Sequence, residues 1–402
     1  MLPGAEGNCC MEKVKQNVYL TVLLALLTLL AACAQDSKLP EPSLEGAVPG
    51  QYIVMLNSTT LSSQSDEATE LGIAQVASSL GVQSLAELRS VNGFVATGVD
   101  EGVLARLEAD PRVRYAEPDR IVRLSGTQSN PAWGLDRIGS RSLPLDKKFT
   151  YGATGSSVNA YVIDSGIKKG LTEFGSRLVG GVSAINDGRG YSDCNGHGTH
   201  VAGTLGGKTY GVAKNVKLYA VRVFGCGGTS STSAIITGVD WVTFNHKRPA
   251  VANMSLEDAK SQALDEAVEA AIDEGVTVVV AAGNGSSNAC NVSPARVSRA
   301  LTVGASNRQD QKWSQSNYGS CLDLFAPGQD VLSVSTGGGG RTMSGTSMAT
   351  PHVAGVAALV LQRNPSASPS SVASTIKSAA TKGKLSLSSS QGSPNSLLYT
   401  NY

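Results

Sequence analysis

The feature that most constrains the fold is a series of short apolar segments downstream of residue 130 that alternate with segments of helical periodicity. The strand-like segments, rich in β-branched residues, are 158–163, 216–223, 250–254, 276–281 and 301–303. Helical spacing occurs in 232–245, 261–274 and 347–363. Continuously apolar strands are typical of parallel sheets covered on both faces. The alternation therefore predicts a doubly wound, mostly parallel α/β domain with its active site at the carboxyl ends of the strands.

A smaller unit precedes this domain. Its strand patterns are 51–56, 85–91, 93–98 and 113–116, and its helical patterns are 66–80 and 100–109. The order β-α-β-β-α-β predicts a small ferredoxin-like α+β sandwich. The polar, turn-prone segment 125–130 follows it, which predicts a domain boundary and a cleavage region. We therefore divide the folded part of the chain into residues 51–125 and residues 126–402.

The amino end has the pattern of an export signal. Lys13 and Lys15 precede an apolar run of 15 residues, 18–32, which is shorter than the roughly 20 residues of a membrane-spanning helix. Residues 1–34 are thus predicted to be a signal peptide, and the polar segment 35–50 a linker. The end of the run fits two interpretations: a lipobox in which Cys33 is acylated, or cleavage after Ala34. Either predicts a secreted protein that meets the membrane only through its signal or a lipid on Cys33.

The numbers of charged residues and cysteines limit which partners the protein can bind and in which cellular compartment it works. The chain has 33 lysines and arginines against 32 aspartates and glutamates, so composition predicts no basic surface for nucleic acid. Three of the seven cysteines lie within the first 33 residues. The other four are Cys194, Cys226, Cys290 and Cys321. In an oxidising compartment these four are expected to pair, and three pairings are possible.

Two polar sites lie where an α/β domain places its chemistry. Asp164 ends the first apolar strand, and His197 lies between Gly196 and Gly198 at a predicted helix start. Glycines on both sides leave the imidazole accessible to a ligand. A metal pair of His197 with His200 is the competing interpretation, but the sequence has no glutamate between them as H-E-x-x-H would. His200 is predicted to be a core residue.

A serine and an asparagine complete the set of candidates. Ser347 begins a helical segment, where backbone N–H groups and the helix dipole can stabilise an oxyanion. Asn284 follows the strand 276–281 and can donate an uncharged amide hydrogen bond. Ala349 replaces the last glycine of G-x-S-x-G, and the order Asp, His, Ser differs from that of α/β-hydrolases. Both departures argue against that fold.

Together, Asp164-Ser-Gly, His197-Gly-Thr-His and Gly345-Thr-Ser-Met-Ala-Thr-Pro resemble the subtilase serine peptidases. The resemblance covers about residues 125–402 and is strongest to the proteinase K branch, particularly aqualysin-like enzymes. Segments 131–138, 210–214, 316–320 and 346–355 also carry it. It implies that residues 51 to about 122 are an inhibitory propeptide, which acts as an intramolecular chaperone and then as an inhibitor of an autoprocessed precursor.

The resemblance implies a role for each catalytic candidate. Ser347 would be the nucleophile, His197 the general base and then acid, and Asp164 the group that orients His197. Asn284 and the backbone N–H of Ser347 would bind the oxyanion. The expected enzyme is a secreted, monomeric serine endopeptidase that acts on proteins and peptides and needs no catalytic cofactor.

Substrate segments and a departure from the family also follow from the resemblance. Substrate strands would bind along Ser255, Leu256 and Glu257 and along Gly228, Thr229 and Ser230, with Ala281, Ala282 and Gly283 as a wall of the primary pocket. The family usually has Gly-Gly-Gly where this chain has Glu257-Asp258-Ala259. Three hypotheses remain for Glu257: it crowds the pocket rim, it attracts a basic substrate residue, or it points to solvent.

Disulfide pairing and calcium are further implications. The aqualysin-like pattern pairs Cys194 with Cys226 and Cys290 with Cys321. Asp323 matches a family ligand of structural Ca²⁺, with the backbone carbonyls of Ser298 and Ala300 as companions; hard oxygen ligands suit this ion.

Two other functions compete with the peptidase hypothesis. One is an esterase or amidase that uses the same three residues. The other is a catalytically weak surface lipoprotein that binds peptides.

Overall fold

The computed structural model describes residues 47–57, 66–120, 125–387 and 392–402. Two compact units divide between residues 122 and 123. The predicted signal peptide, Cys33 and most of the predicted linker lie outside the described residues. In the part that is described, no helix is both long and apolar enough to cross a membrane.

The smaller unit is an antiparallel sheet with two helices. Its elements are β1 (Ala47–Leu56), α1 (Asp66–Ser79), β2 (Gln83–Leu88), β3 (Gly93–Thr97), α2 (Glu101–Ala109) and β4 (Val113–Arg120). The strand order is β2-β3-β1-β4, and every neighbouring pair is antiparallel. This is the predicted ferredoxin-like order. Apolar side chains from strands and helices, including Val54, Ile73, Phe94 and Leu107, share one buried cluster.

The first strand begins earlier than the sequence pattern indicates. Residues 47–50 belong to β1 rather than to a linker, because Ala47 pairs with Arg120 of β4. Pro49 and Gly50 lie where the register with β4 shifts, between Ala47 and Tyr52, and such irregular positions tolerate proline and glycine.

The larger unit contains the predicted alternation of strands and helices. Its helices are α3 (Trp133–Ile138), α4 (His197–Gly206), α5 (Thr232–Asn245), α6 (Gln262–Asp273), α7 (Thr346–Arg363) and α8 (Pro369–Ala379). Its main-sheet strands are β7 (Asn159–Asp164), β8 (Leu178–Ser183), β9 (Lys217–Arg222), β10 (Ala250–Met254), β12 (Thr277–Ala281), β14 (Leu301–Ser306), β15 (Leu324–Pro327), β18 (Thr381–Lys382) and β19 (Ser396–Leu397). Three two-stranded sheets complete it, built from β5 (Gly126–Ser129) with β6 (Lys148–Tyr151), β11 (Asp258–Ala259) with β13 (Val292–Ser293), and β16 (Val331–Val334) with β17 (Gly340–Met343).

The main sheet is buried on both faces, as its apolar strands predict. Its strand order is β18-β19-β15-β14-β12-β10-β7-β9-β8, with parallel pairing from β8 through to β19. Along β7, Ala160 and Val162 belong to one core cluster and Tyr161 and Ile163 to another. Helices α4 and α7 cover the first face, and α5 and α6 cover the second. The doubly wound fold is confirmed.

Two disulfides link loops of the larger unit. Cys194 is bonded to Cys226 and Cys290 to Cys321, with sequence separations of 32 and 31. The first bond lies directly before α4. Beside it, the fully buried Arg222 donates to both carboxylate oxygens of Asp187, at 2.7 and 2.6 Å.

Removing the first disulfide should destabilise the folded chain. Closing a loop of this length lowers the entropy of the unfolded state, so Cys194→Ser with Cys226→Ser should reduce the free energy of unfolding by roughly 3 to 4 kcal/mol. Urea unfolding of both forms, made in a Ser347→Ala background to prevent self-digestion, measures the difference. The double replacement at Cys290 and Cys321 is the matched comparison and should cost a similar amount. A loss below about 1 kcal/mol for both pairs would contradict the loop-entropy argument.

Candidate active site

Asp164 and His197 form a tightly paired unit at the carboxyl edge of the main sheet. Asp164 is the last residue of β7 and is 1% exposed. Its two carboxylate oxygens lie 2.8 and 3.0 Å from Nδ1 of His197, the first residue of α4. The Ser165 backbone N–H also donates to Asp164, at 2.7 Å. A carboxylate at Nδ1 fixes the proton on that nitrogen and leaves Nε2 as the base.

Gly198 is what allows α4 to begin so close to Asp164. A Cβ at this position would clash with the carbonyl oxygen of Gly166 and would lie 3.0 Å from Oδ1 of Asp164. A side chain here would therefore push His197 away from its carboxylate. The glycine next to the histidine is thus required by close approach, in addition to the access to the ring that the sequence indicated.

Asp193 is a residue of the site that sequence reasoning missed. It is 3% exposed and accepts hydrogen bonds from the backbone N–H groups of Asn195, Gly196 and Thr199, at 2.8 to 3.0 Å. It also accepts from the Ser165 hydroxyl at 3.0 Å. Its carboxylate thereby fixes the loop that delivers His197. An aspartate shortly before a Gly-His-Gly helix start is a capping signal that could have identified it.

Ser347 lies in the first turn of α7 and is held against the end of β10. Its hydroxyl donates to the carbonyl of Ser255 at 3.2 Å, and the Ser255 hydroxyl donates to the Ser347 carbonyl at 2.8 Å. Ser347 is 9% exposed. At this helix start the Thr346 N–H donates to Asn284 and the Met348 N–H to the Gly345 carbonyl, whereas the Ser347 N–H makes no hydrogen bond to the described protein and is available to a developing negative charge.

Asn284 is oriented by the residue before Ser347. Its Oδ1 accepts from the backbone N–H of Thr346 at 2.8 Å and from the Thr346 hydroxyl at 3.0 Å. With Oδ1 engaged in this way, Nδ2 is turned away from Thr346. Within the described residues, Nδ2 makes no hydrogen bond to the protein. The side chain can therefore present an amide donor beside Ser347.

The register of β7 and β10 brings the Asp164–His197 pair and Ser347 together. Strands β7 and β10 are parallel neighbours, with Ile163 opposite Met254, so the next residues, Asp164 and Ser255, lie side by side. Asp164 holds His197 and Ser255 holds Ser347. In the described structure the His197 ring bonds only Asp164, and no hydrogen bond joins it to the Ser347 hydroxyl. Catalytic hydrogen bonds of this kind often form only once substrate is bound.

The direction of the pKa shift distinguishes His197 from His200 and His352. Desolvation of its ring opposes protonation, but the charge of Asp164 and the hydrogen bond to it outweigh this and raise the pKa of His197. Burial lowers the pKa of His200 and of His352 to about 4. His200 is 0% exposed, with Nε2 against the carbonyls of Val331 and Arg341 at 3.1 and 3.0 Å. The prediction that His200 is a core residue is confirmed.

The segments expected to bind substrate occupy the same sheet edge. Ser255 and Leu256, past β10, and Ala281 and Ala282, at the end of β12, are buried. An exposed turn after β9 contains Gly228, Thr229 and Ser230. Within it the Gly225 N–H donates to the Thr229 carbonyl, and the Gly228 N–H donates to the Gly225 carbonyl. Strands β9, β7, β10 and β12 are consecutive neighbours.

Asp323 has protein partners on both carboxylate oxygens. Oδ2 accepts from the Thr302 backbone N–H at 2.9 Å, and Oδ1 lies 3.0 Å from Nζ of Lys377. Ser298 and Lys377 line one cavity of about 790 Å³, while Ala300 is 3% exposed. Because the ammonium already balances the carboxylate, Ca²⁺ would have to displace it. As arranged, the residues do not fit a calcium ion at Asp323.

The chain is similar to known proteins of one family. The profile of the subtilase family matches residues 155–393. An extracellular serine proteinase of Thermus sp. (strain Rt41A) is 48% identical over 95% of this chain and 98% of its own, and alkaline serine exoprotease A of Vibrio alginolyticus is 48% identical over 88% and 68%. The crystal structure of a cold adapted subtilisin-like serine proteinase is 51% identical, with a TM-score of 0.66 over 68% of this chain and 100% of that one. This chain belongs to the subtilase family.

Proposed function

We propose that this subtilase, a serine endopeptidase that acts on protein substrates, uses Ser347 as its nucleophile and His197 as its base. The observation that carries the assignment is the register of β7 and β10. It places Asp164, which holds His197, beside Ser255, which holds Ser347. Casein hydrolysis by the secreted protein, abolished by a serine-directed inhibitor, tests the activity itself.

The reaction uses each group in turn. When the Ser347 hydroxyl attacks the scissile carbonyl carbon, its proton passes to Nε2 of His197, and the C–N bond then breaks as that proton passes to the leaving amine. Water repeats the sequence to release the acid. Asp164 keeps the other ring proton on Nδ1 and stabilises the imidazolium by its negative charge. The same attraction raises the pKa of His197.

The oxyanion is bound by two donors. One is the backbone N–H of Ser347 at the start of α7, and the other is Nδ2 of Asn284, oriented because Thr346 holds its Oδ1 at 2.8 Å. Both donors are already in place before charge develops, so they stabilise the transition state without reorganisation.

Removing the Asn284 amide should slow the chemical step. We expect Asn284→Ala to lower kcat by about a hundredfold to a thousandfold with little change in KM, because the lost hydrogen bond is strongest in the transition state; the range is that of the same loss in subtilisin, a family relative. Steady-state kinetics on a peptide amide measures it. Asn245→Ala, an exposed asparagine at the end of α5, is the control and should be neutral. A rise in KM of that size with kcat unchanged would contradict the assignment.

Substrate binds as an added strand. The backbone of Ser255, Leu256 and Glu257 and that of Gly228, Thr229 and Ser230 would hydrogen bond an extended peptide on either side, and Ala281, Ala282 and Gly283 would wall the pocket for one side chain. Backbone pairing gives affinity with little sequence dependence. The support for this arrangement is that the three segments follow β9, β10 and β12, which lie within the run of four neighbouring strands β12-β10-β7-β9.

Maturation removes the amino-terminal segments. We infer that residues 1–34 direct export, with Cys33 as the point of any lipid tether, and that residues 51–125 act as chaperone and inhibitor until cleavage between 125 and 127. The independent core of the smaller unit supports its folding as a separate module. The mature monomer then works outside the cell.

Metal chemistry has no part in this mechanism. Subtilases bind structural calcium and use no catalytic cofactor. For this chain, Asp323 with the carbonyls of Ser298 and Ala300 is the expected set, but Lys377 holds the carboxylate. No catalytic or stabilising step is therefore assigned to calcium at that position.

A further inference from the structure

Glu257 turns back toward the active site. Its Oε2 accepts a hydrogen bond from the backbone N–H of Asn284 at 3.0 Å. A Cβ on Gly283 would clash with the same oxygen. Glycine at 283 thus makes room for the carboxylate, which lies across the gap between the segment after β10 and the segment after β12.

The negative charge of Glu257 is not balanced by the protein. Throughout the described ranges, no lysine, arginine or histidine forms an ion pair with it, whereas Asp164, Asp187, Asp265, Asp273, Asp310 and Asp323 all have such partners. The side chain is exposed, and its Oε1 makes no hydrogen bond to the described protein. One carboxylate oxygen is therefore available to a donor from outside the chain.

The position of Glu257 is adjacent to the bond that is cleaved. Asn284 binds Glu257 through its backbone and flanks Ser347 through its side chain. Ser255, two residues before Glu257, contacts the Ser347 hydroxyl. The substrate residue whose carbonyl is attacked, P1, has its Cα one bond from that carbonyl. On the proposed substrate arrangement, its side chain enters between these two segments.

We propose that Glu257 selects substrates with arginine or lysine at P1. This inference rests on the proposed function, because it requires Ser347 to be the nucleophile. A guanidinium or ammonium group forms charge-assisted hydrogen bonds with a carboxylate, which a neutral side chain of similar length does not. Because the carboxylate is exposed, water screens the pair, and the preference should be about twofold to fivefold rather than absolute.

The test compares kcat/KM for matched peptides with arginine, glutamine, phenylalanine or alanine at P1. In the wild type, the arginine-to-glutamine ratio should be about two to five and should fall as salt is raised, because salt screens an exposed pair. In Glu257→Gln, which keeps an oxygen for the Asn284 N–H but loses the charge, the ratio should approach one and lose its salt dependence. Glu257→Asp, which keeps the charge on a shorter side chain, should retain part of the preference for arginine. Glu269→Gln, which removes an exposed charge from α6, should leave the ratio as in the wild type.

Each alternative outcome overturns the inference. A ratio near one in the wild type means that Glu257 does not act on P1, and this measurement needs no variant. A wild-type ratio that persists in Glu257→Gln means that another group selects the cation. If Glu257→Gly raises the rates for phenylalanine and arginine alike over alanine, Glu257 crowds the pocket instead. Failure of the proposed function would look different, because hydrolysis of every peptide, alanine included, would then persist in Ser347→Ala.

Discussion

Replacing Ser347 by alanine is expected to lower kcat by about a millionfold, the largest effect of any single substitution in this chain. The loss removes the covalent route, because the neighbouring hydroxyls are engaged elsewhere: that of Thr346 donates to Asn284, and that of Ser255 donates to the Ser347 carbonyl. The magnitude is that found for the nucleophile of subtilisin, a family relative. Some rate above that in water should persist, because the oxyanion donors and the binding edges remain.

The measurement for Ser347→Ala combines turnover with processing. Cleavage of a peptide amide by the purified variant gives kcat, and mass analysis of the secreted protein shows whether the boundary near residue 125 is cut. We expect an uncut precursor, because self-cleavage needs the same nucleophile. Ser344→Ala is the matched control: Ser344 is exposed, three residues earlier, and hydrogen bonds Asp330. Normal turnover in Ser347→Ala would refute the assignment, and so would an equal loss in Ser344→Ala.

Replacing Asp164 by asparagine should lower kcat by about ten thousandfold. An asparagine amide would donate to Nδ1 of His197 rather than accept from it, so the ring would carry its proton on Nε2, where the base is needed. The change should also move the pH profile. In the wild type, activity rises as pH rises through the pKa of His197, because only the neutral ring accepts the Ser347 proton. Since Asp164 raises that pKa, removing its charge should move the acid limb to lower pH.

Two readouts of Asp164→Asn separate positioning from folding. The rate at the alkaline plateau should fall, while the midpoint of the acid limb falls in pH as well; loss of folded enzyme would lower the plateau alone. Asp240→Asn, which removes an exposed charge from α5, should change neither. An acid limb that stays where it was, or moves to higher pH, would show that Asp164 does not stabilise the imidazolium.

Local sequence patterns were sufficient to place the principal site residues. Asp164 and Asn284 follow buried strands, and His197 and Ser347 begin helices; each position can be read from a few neighbouring residues because strand ends and helix starts have local signals. The parallel, doubly buried character of the five central strands also followed from their apolar runs. The resemblance then supplied roles that no single motif could.

The remaining contacts were not predictable, because they join residues far apart in the chain. Lys377 reaches Asp323 across 54 residues and replaces the expected metal environment. Glu257 reaches Asn284 across 27 residues, which no periodicity encodes. The edge strand β8 and the four-residue strand β15 lacked the long apolar runs of the central strands, so their patterns were too weak to recognise. Pairing at a distance depends on the assembled sheet rather than on local preference.

The placement of the site across the main sheet makes activity a report on folding. His197 lies 33 residues from Asp164, but Ser347 lies 92 residues from the Ser255 carbonyl that holds it. The carboxyl end of the chain must therefore reach the central strands before any nucleophile meets its base. Contacts of such long range form late, since the loop entropy must be overcome first. A partly folded chain would contain every catalytic residue and still be harmless to its host.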